Sequence, residues 1–186
     1  MLVFEHKHDA ERVMAVLPKR FGKYGLTLHP EKTKIVEFVR PDCRARRVGR
    51  AAGPRSGTFD FLGFTHYWGR SRKGKWIVCR KTAKDRFRRA LKEVHRWCRW
   101  HRHEDLETQR RILAWKLRGH YGYYGITGNL QALRRFHFQA VRTWRRWLSY
   151  RSQRARLNWD RMTQLLERYP LPQPRIAHPY QRAANP

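Results

Sequence analysis

Acidic side chains are scarce in this chain: 14 Asp and Glu stand against 43 Lys and Arg, for a formal net charge of +29 and a pI near 11.4. That scarcity removes most carboxylate chemistry. The only adjacent acids are Glu104 and Asp105, which fall where a helix is expected to begin and read as a cap and dipole partner. Nucleotidyl transfer by metal ions needs paired aspartates that hold two cations about 4 Å apart, and no such pair stands out. Cysteine is also rare. Cys43, Cys79 and Cys98 lie far apart and form no CxxC pair, which argues against a zinc site or a disulfide framework and for an intracellular chain. His6, His8, His101 and His103 lack cysteine or carboxylate partners at ligand spacing, so no metal site is expected. No Walker-type loop, Ser-His-Asp spacing or reactive-cysteine context is present, and the residues read alone predict binding without catalysis. No apolar run approaches the ~20 residues of a spanning helix. The N-terminus, MLVFEHKHDA, is not patterned as a secretory signal, so the expected location is cytoplasmic, with no membrane partner.

What the chain does have is arginine and aromatic rings. There are 32 Arg and 11 Lys, interleaved with 8 Trp, 8 Tyr and 9 Phe. Arginine presents a planar fork to phosphate and a flat face to bases, and an unneutralised +29 opposes compaction. Nucleic acid is the expected partner. A ribosomal-type RNA-binding protein would share this signature.

Periodicity predicts an α+β chain. Ala10, Val13, Met14, Leu17, Phe21 and Tyr24 form one helix face from Asp9 to Tyr24, with Asp9 as a cap, Gly25 at a left-handed end and Pro18 bending or ending the regular part. Leu2 to Phe4, Leu26 to Leu28 and Ile35 to Phe38 read as short strands, the last two joined by the HPEKT turn. Residues 40–58 read as an exposed loop. Phe59 to Tyr67 and Lys75 to Arg80 read as two more strands around a basic tip, WGRSRKG. Beyond Lys81 the period becomes helical. Faces run through Phe87, Leu91, Val94 and Cys98; through Leu106, Leu113, Leu117, Tyr121 and Tyr124; through Leu130, Leu133, His137, Val141, Trp144 and Leu148 after a capping Asn129; and through Met162, Leu165, Leu166 and Tyr169. The proline-rich end is expected to be extended or disordered. The expected division is 1–80, 81–169 and a tail at 170–186.

Basic stripes lie beside two of these faces, Arg88, Lys92, Arg96 and Arg99 on one helix and Arg135, Arg142 and Arg146 on another. Residues 81–156 hold 21 Lys and Arg against 5 Asp and Glu, so phosphates are the expected counter-charges. Lys32 and Lys34 in the first turn and Arg70, Arg72, Lys73 and Lys75 at the basic tip extend the candidate RNA-binding set. In GHYGYYGITGN, residues 119–129, the expectation is a glycine-rich loop. Tyr121, Tyr123 and Tyr124 either plug the helices or stack on nucleotides. Trp97, Trp100, Trp115, Trp147 and Trp159 read as core or core-edge packing.

The order and spacing of a helix, GLTLHPEKTKIVEF, FDFLGF, LRGHYGYYGITGN and WRRWLSYRS resemble the C-terminal part of a group II intron-encoded reverse transcriptase/maturase, over about residues 2–175. The resemblance implies a remnant of the palm over 1–80, with FLGF leading to the primer grip. It implies a helical thumb, also the maturase-specific region, over 81–169. Complete members are RNA-directed DNA polymerases that use Mg²⁺ and assist intron splicing; the implied partner here is group II intron RNA or an RNA/DNA duplex. Met1 stands where the family's aspartate pair would lead in. The expectation is therefore a truncated, RNA-binding chain that has no metal cofactor and cannot polymerise alone. At most Lys32 keeps an accessory catalytic echo, beside a departing pyrophosphate. The alternatives are one half of a split polymerase whose N-terminal fingers and palm are separate, or a general RNA-binding protein.

Overall fold

The structure, a computed structural model, describes residues 1–41, 57–152 and 157–179. It is mixed α+β, with eight elements in the order α1 (Lys7–Gly22), β1 (Phe59–Phe61), β2 (Phe64–Arg70), β3 (Trp76–Thr82), α2 (Lys84–Trp100), α3 (Leu106–Tyr124), α4 (Leu130–Ser149) and α5 (Trp159–Arg168). The strands form one antiparallel sheet in the order β1-β2-β3. Chain contacts define two units, Met1–Phe59 with Tyr67–Val78, and Asp60–His66 with Cys79–Pro186.

In the first unit, α1 begins one turn earlier than the sequence suggests, with His6 at the cap position and Asp9 inside the first turn, where it favours the helix dipole. Pro18 removes the amide that would bond to the Met14 carbonyl, yet the helix continues to Gly22. Gly25 takes the left-handed conformation, φ 68°. The turn at Pro30 is formed, with the Lys32 and Thr33 amides donating to the His29 carbonyl. The strands expected at Leu2–Phe4, Leu26–Leu28 and Ile35–Phe38 are not found among the described residues. The physical reason is that a strand is defined by its ladder, and alternation alone supplies no partner. Phe38 instead packs as a single aromatic residue between Phe59 and Trp68, at centroid distances of 5.0 and 5.2 Å. Most of the expected 40–58 loop, residues 42–56 with Cys43, lies outside the described residues.

In the second unit, α2, α3 and α4 form an up-down-up bundle. Phe87 meets Phe136 near the start of α2 and α4, and His95 meets Trp147 near their ends, so these two helices run parallel. Between them in sequence, α3 returns antiparallel, pairing Gln109 with Trp144 and Tyr121 with His137. The core contains Val94 and Cys98 of α2, Leu113, Leu117 and Tyr121 of α3, Leu133, Phe136, Ala140, Trp144 and Leu148 of α4, and Met162 of α5. Fully burying one such large apolar side chain contributes ~1.5–3 kcal/mol. Thr82, Gln109 and Asn129 are the buried polar residues among those described; the Gln109 amide nitrogen donates to the Arg102 and Glu104 carbonyls, and its oxygen accepts from Trp144 Nε1 at 2.8 Å. Asp105 caps α3 as expected, accepting from the Thr108 amide at 2.9 Å.

Two local readings are decided. The helix face read through Tyr121 and Tyr124 is found, and the glycine-rich loop read over 119–129 is helical up to Tyr124, because Tyr121 on the inner face is drawn into the core and holds the last turns. Of the two readings of the proline-rich end, residues 170–179 follow the extended one. Leu171 is buried, the Ala177 and His178 amides donate to the Gly125 carbonyl at 2.7 and 2.8 Å, and His178 forms a parallel bridge with Ile126. A Cβ on Gly125 would lie 2.8 Å from the Ala177 nitrogen, so only glycine lets this strap approach the α3–α4 turn.

Candidate nucleic-acid interface

Helix α2 packs more extensively on α4 than on any other element, and this pairing brings together the two basic stripes read from the sequence. Arg88, Lys92, Arg96 and Arg99 all project from α2 into solvent, as do Arg135, Arg142 and Arg146 from α4. Two of them reach across the seam. The Arg99 guanidinium lies 6.0 Å from the Trp147 ring of α4, and that of Arg135 lies 5.8 Å from the Phe87 ring of α2. Arg146 lies 6.0 Å from Tyr150. A guanidinium over an aromatic face keeps its charge and gains attraction to the ring quadrupole. Its N–H donors remain at the edge of the plane, where a phosphate can accept two of them. Arg96 is partly committed, since it forms an ion pair with Glu93.

The other candidate residues divide by unit. In the first unit, Lys32 and Lys34 are exposed around the Pro30 turn, and Arg70, Arg72, Lys73 and Lys75 surround the β2–β3 connection. That connection is tied by the Ser71 amide donating to the Lys75 carbonyl at 2.8 Å, and the Arg70 guanidinium sits 4.9 Å from the Trp76 ring. In the second unit the three tyrosines separate. Tyr121 is 3% exposed and its hydroxyl pairs with His137 Nδ1 at 2.9 Å. Burial pushes its pKa up and leaves no face for a base, so Tyr121 moves from the candidate surface to the core. Tyr124 is half-buried and packs edge-on to Phe64. Tyr123 keeps an exposed ring while its hydroxyl donates to the Leu62 carbonyl at 2.9 Å.

This last bond joins two segments that the sequence leaves separate. The FDFLGF stretch turns between β1 and β2 on Leu62 and Gly63, both at positive φ, 48° and 77°, as a two-residue turn with both central residues left-handed requires. Leucine pays ~1–2 kcal/mol for that conformation. Its surroundings hold it there: Tyr123 ties the Leu62 carbonyl, the Ala83 amide donates to the Gly63 carbonyl, and a Cβ on Gly63 would meet Tyr124 Oη at 3.1 Å. Asn129 completes the joint. Its side chain caps no amide of α4; its oxygen accepts from the Thr82 amide and its nitrogen donates to Thr82 Oγ1 and the Tyr124 carbonyl. Asparagine before a helical run is an ordinary capping signal, which is why the sequence pointed to the nearer role.

The tryptophans also separate. Trp97 and Trp147 are half-buried, matching a core-edge role, but Trp100 and Trp115 are 74% and 62% exposed and Trp159 is exposed as well. The signal for Trp115 was available, since it falls on the helix side opposite Leu113, Leu117 and Tyr121. Trp159 receives the Arg145 guanidinium at 4.4 Å.

Catalytic candidates do not converge. Asp105 is committed to Thr108, whose hydrogen bonds hold its carboxyl below the usual range. Glu104 Oε1 contacts His101 Nδ1 at 2.6 Å. Burial pushes the Cys98 thiol up to about 12, far from a thiolate. Among the described residues no three His, Cys, Asp or Glu side chains cluster as metal ligands, and no helix is long and apolar enough to cross a membrane. Set against family models, curated proteins and solved structures, the chain matches none of them.

Proposed function

We propose that this chain is an RNA-binding protein of the group II intron maturase kind, and that the α2–α4 seam is its main phosphate-binding surface. The observation that carries the reading is the seam itself: Arg99 of α2 and Arg135 of α4 each lie over a ring of the facing helix, beside the other exposed basic residues of both stripes, in a segment with few carboxylates. The resemblance of the ordered motifs to the thumb and maturase region of an RNA-directed DNA polymerase supplies the substrate class. Polymerisation is not part of the reading for this chain alone. The Mg²⁺ ions of a complete family member need paired carboxylates that hold two cations, and the adjacent pair here, Glu104 and Asp105, has one oxygen of each engaged by His101 and by the Thr108 amide that it caps.

A second reading, one half of a two-part polymerase, is favoured by the first unit. Helix α1 has no buried residue, and Leu2, Val3, Leu26 and Val39 are largely exposed, a surface suited to a missing fingers and palm partner.

The test is fluorescence anisotropy with a structured group II intron RNA and an unrelated structured RNA of equal length at moderate salt. The triple variant R99A/R135A/R146A should bind the intron RNA at least about tenfold more weakly, and the wild-type chain should prefer the intron RNA. An unchanged affinity in the variant removes the seam. Equal affinities for the two RNAs turn the reading to general RNA binding, and templated primer extension by the chain alone with Mg²⁺ overturns its non-catalytic part.

A further inference from the structure

We propose that the outward stripe of α3, built from Arg111, Trp115 and Arg118, is a second and chemically different RNA surface, one that holds unpaired nucleotides by stacking a base on Trp115. The proposal rests on the RNA-binding reading above and specifies which form of RNA this face takes.

Positions 111, 115 and 118 are spaced by four and three residues, so they share one helix face. It is the face opposite the buried Leu113, Leu117 and Tyr121. At its centre a large indole stands 62% exposed, where a solvent-facing helix position ordinarily carries a charged or small polar residue. The Arg111 guanidinium lies 5.9 Å from the indole centroid, and no other aromatic ring stacks on Trp115 among the described residues. A cation on one side of the ring leaves the other side open to a base. Neither Arg111 nor Arg118 forms an ion pair with a carboxylate among the described residues, so both remain available to phosphate. Seven residues of helix separate them, about 10 Å along the axis, so they can meet phosphates on either side of a base stacked on Trp115.

The same face continues over two residues without side chains, with the Gly122 carbonyl in contact with His178 Nε2 at 2.7 Å. Gly119 and Gly122 lie inside α3, where glycine is the poorest residue after proline, and a Cβ on either would meet nothing within 4 Å. Internal packing therefore gives no reason for them. Beside an arginine and a stacking ring, missing side chains let a sugar-phosphate backbone approach the helix closely.

The contrast with the α2–α4 seam defines the distinction. Trp147 in the seam is half-buried, with His95 against its edge, Arg99 above it and Tyr150 tilted beside it. Its Nε1 is enclosed. At the seam the arginines sit over an enclosed Trp147 and present guanidinium groups to phosphates, as backbone recognition requires, whereas the α3 stripe centres an exposed indole between two arginines, the arrangement that stacks single strands.

The experiment measures affinity for an unstructured single-stranded RNA and for a blunt-ended RNA duplex with the same number of phosphates, using the full chain. Trp115→Ala should weaken single-strand binding about tenfold and leave duplex binding within about twofold, and Trp115→Phe should restore most of the loss. Arg118→Ala should reduce the salt slope of single-strand binding by about one. Because both side chains are exposed, retained circular dichroism in each variant is expected and checks the fold. Wild-type binding to both probes with no selective loss in Trp115→Ala overturns this inference and leaves the RNA-binding reading standing. Failure of the wild-type chain to bind either probe overturns both.

Discussion

His120 lies flat against Phe136, with ring centroids 3.7 Å apart and planes 13° from parallel, and its Nε2 is enclosed without a hydrogen-bond partner. Burial disfavours the imidazolium and lowers its pKa from 6.5 to about 4. Below pH 6.5 the unfolded chain takes up a proton that the folded chain refuses until about pH 4. Stability from this group is therefore complete above pH 6.5 and is lost as the pH falls toward 4, by on the order of 2 kcal/mol. His137 is shifted in the same direction by the same cause. Denaturant unfolding at pH 7 and pH 4.5 should show a smaller acid loss in His120→Phe than in the wild-type chain; equal losses would refute the assignment. The sequence marks His120 only as a histidine among tyrosines. Phe136, the ring stacked against it, comes from a different helix, so neither its burial nor its charge state was legible.

At the scale of elements, α3 shows where local reading stops. The face from Leu106 through Tyr121 to Tyr124 has clear helical spacing and was legible as such. The glycines at 119 and 122 pointed the other way, to a loop, since each costs a helix ~1 kcal/mol relative to alanine. The helix persists because Tyr121 fills the core and binds His137 on α4, while Tyr123 and Tyr124 pack against Phe64, contacts that outweigh the propensity. This balance gives a direct expectation. Gly119 has open space around its missing Cβ, so Gly119→Ala should stabilise the chain by about 1 kcal/mol and raise Tm by roughly 2–4 °C. A lowered Tm would mean that an unseen contact needs the glycine. The strap from Leu171 to His178 is the converse case. Proline-rich composition left extended and disordered open, and the buried Leu171, the Gly125 carbonyl and the contact of His178 Nε2 with the Gly122 carbonyl seat it as an extended strap.

The whole molecule carries 43 Lys and Arg with only 14 Asp and Glu to offset them, a net +29. Most visible ion pairs are short-range contacts between residues near in sequence, such as Lys7 with Glu11 and Arg110 with Glu107. They leave the long-range repulsion in place, and counterions or a polyanion must screen it. RNA affinity should accordingly fall by a factor of about 10³ or more between 50 and 200 mM salt if six or more phosphates are engaged. An affinity insensitive to salt in filter binding would exclude the electrostatic basis of the proposed interface. The two units differ in how far they bury their own surface. The second has a continuous core across α2, α3, α4 and α5, whereas α1 of the first buries nothing completely.

Composition and period alone determined the charge, the four C-terminal helices to within a few residues, the basic stripes of α2 and α4, and the α+β class, because all of these depend on residues near one another in the chain. Only the tertiary structure decided which ring is core and which is surface. It put Tyr121 inside and Trp115 outside, redirected Asn129 from a helix cap to Thr82, and gave Leu26–Leu28 no strand partner among the described residues. Each of those outcomes depends on a partner distant in sequence, and side-chain burial and ladder hydrogen bonds exist only once that partner is in place.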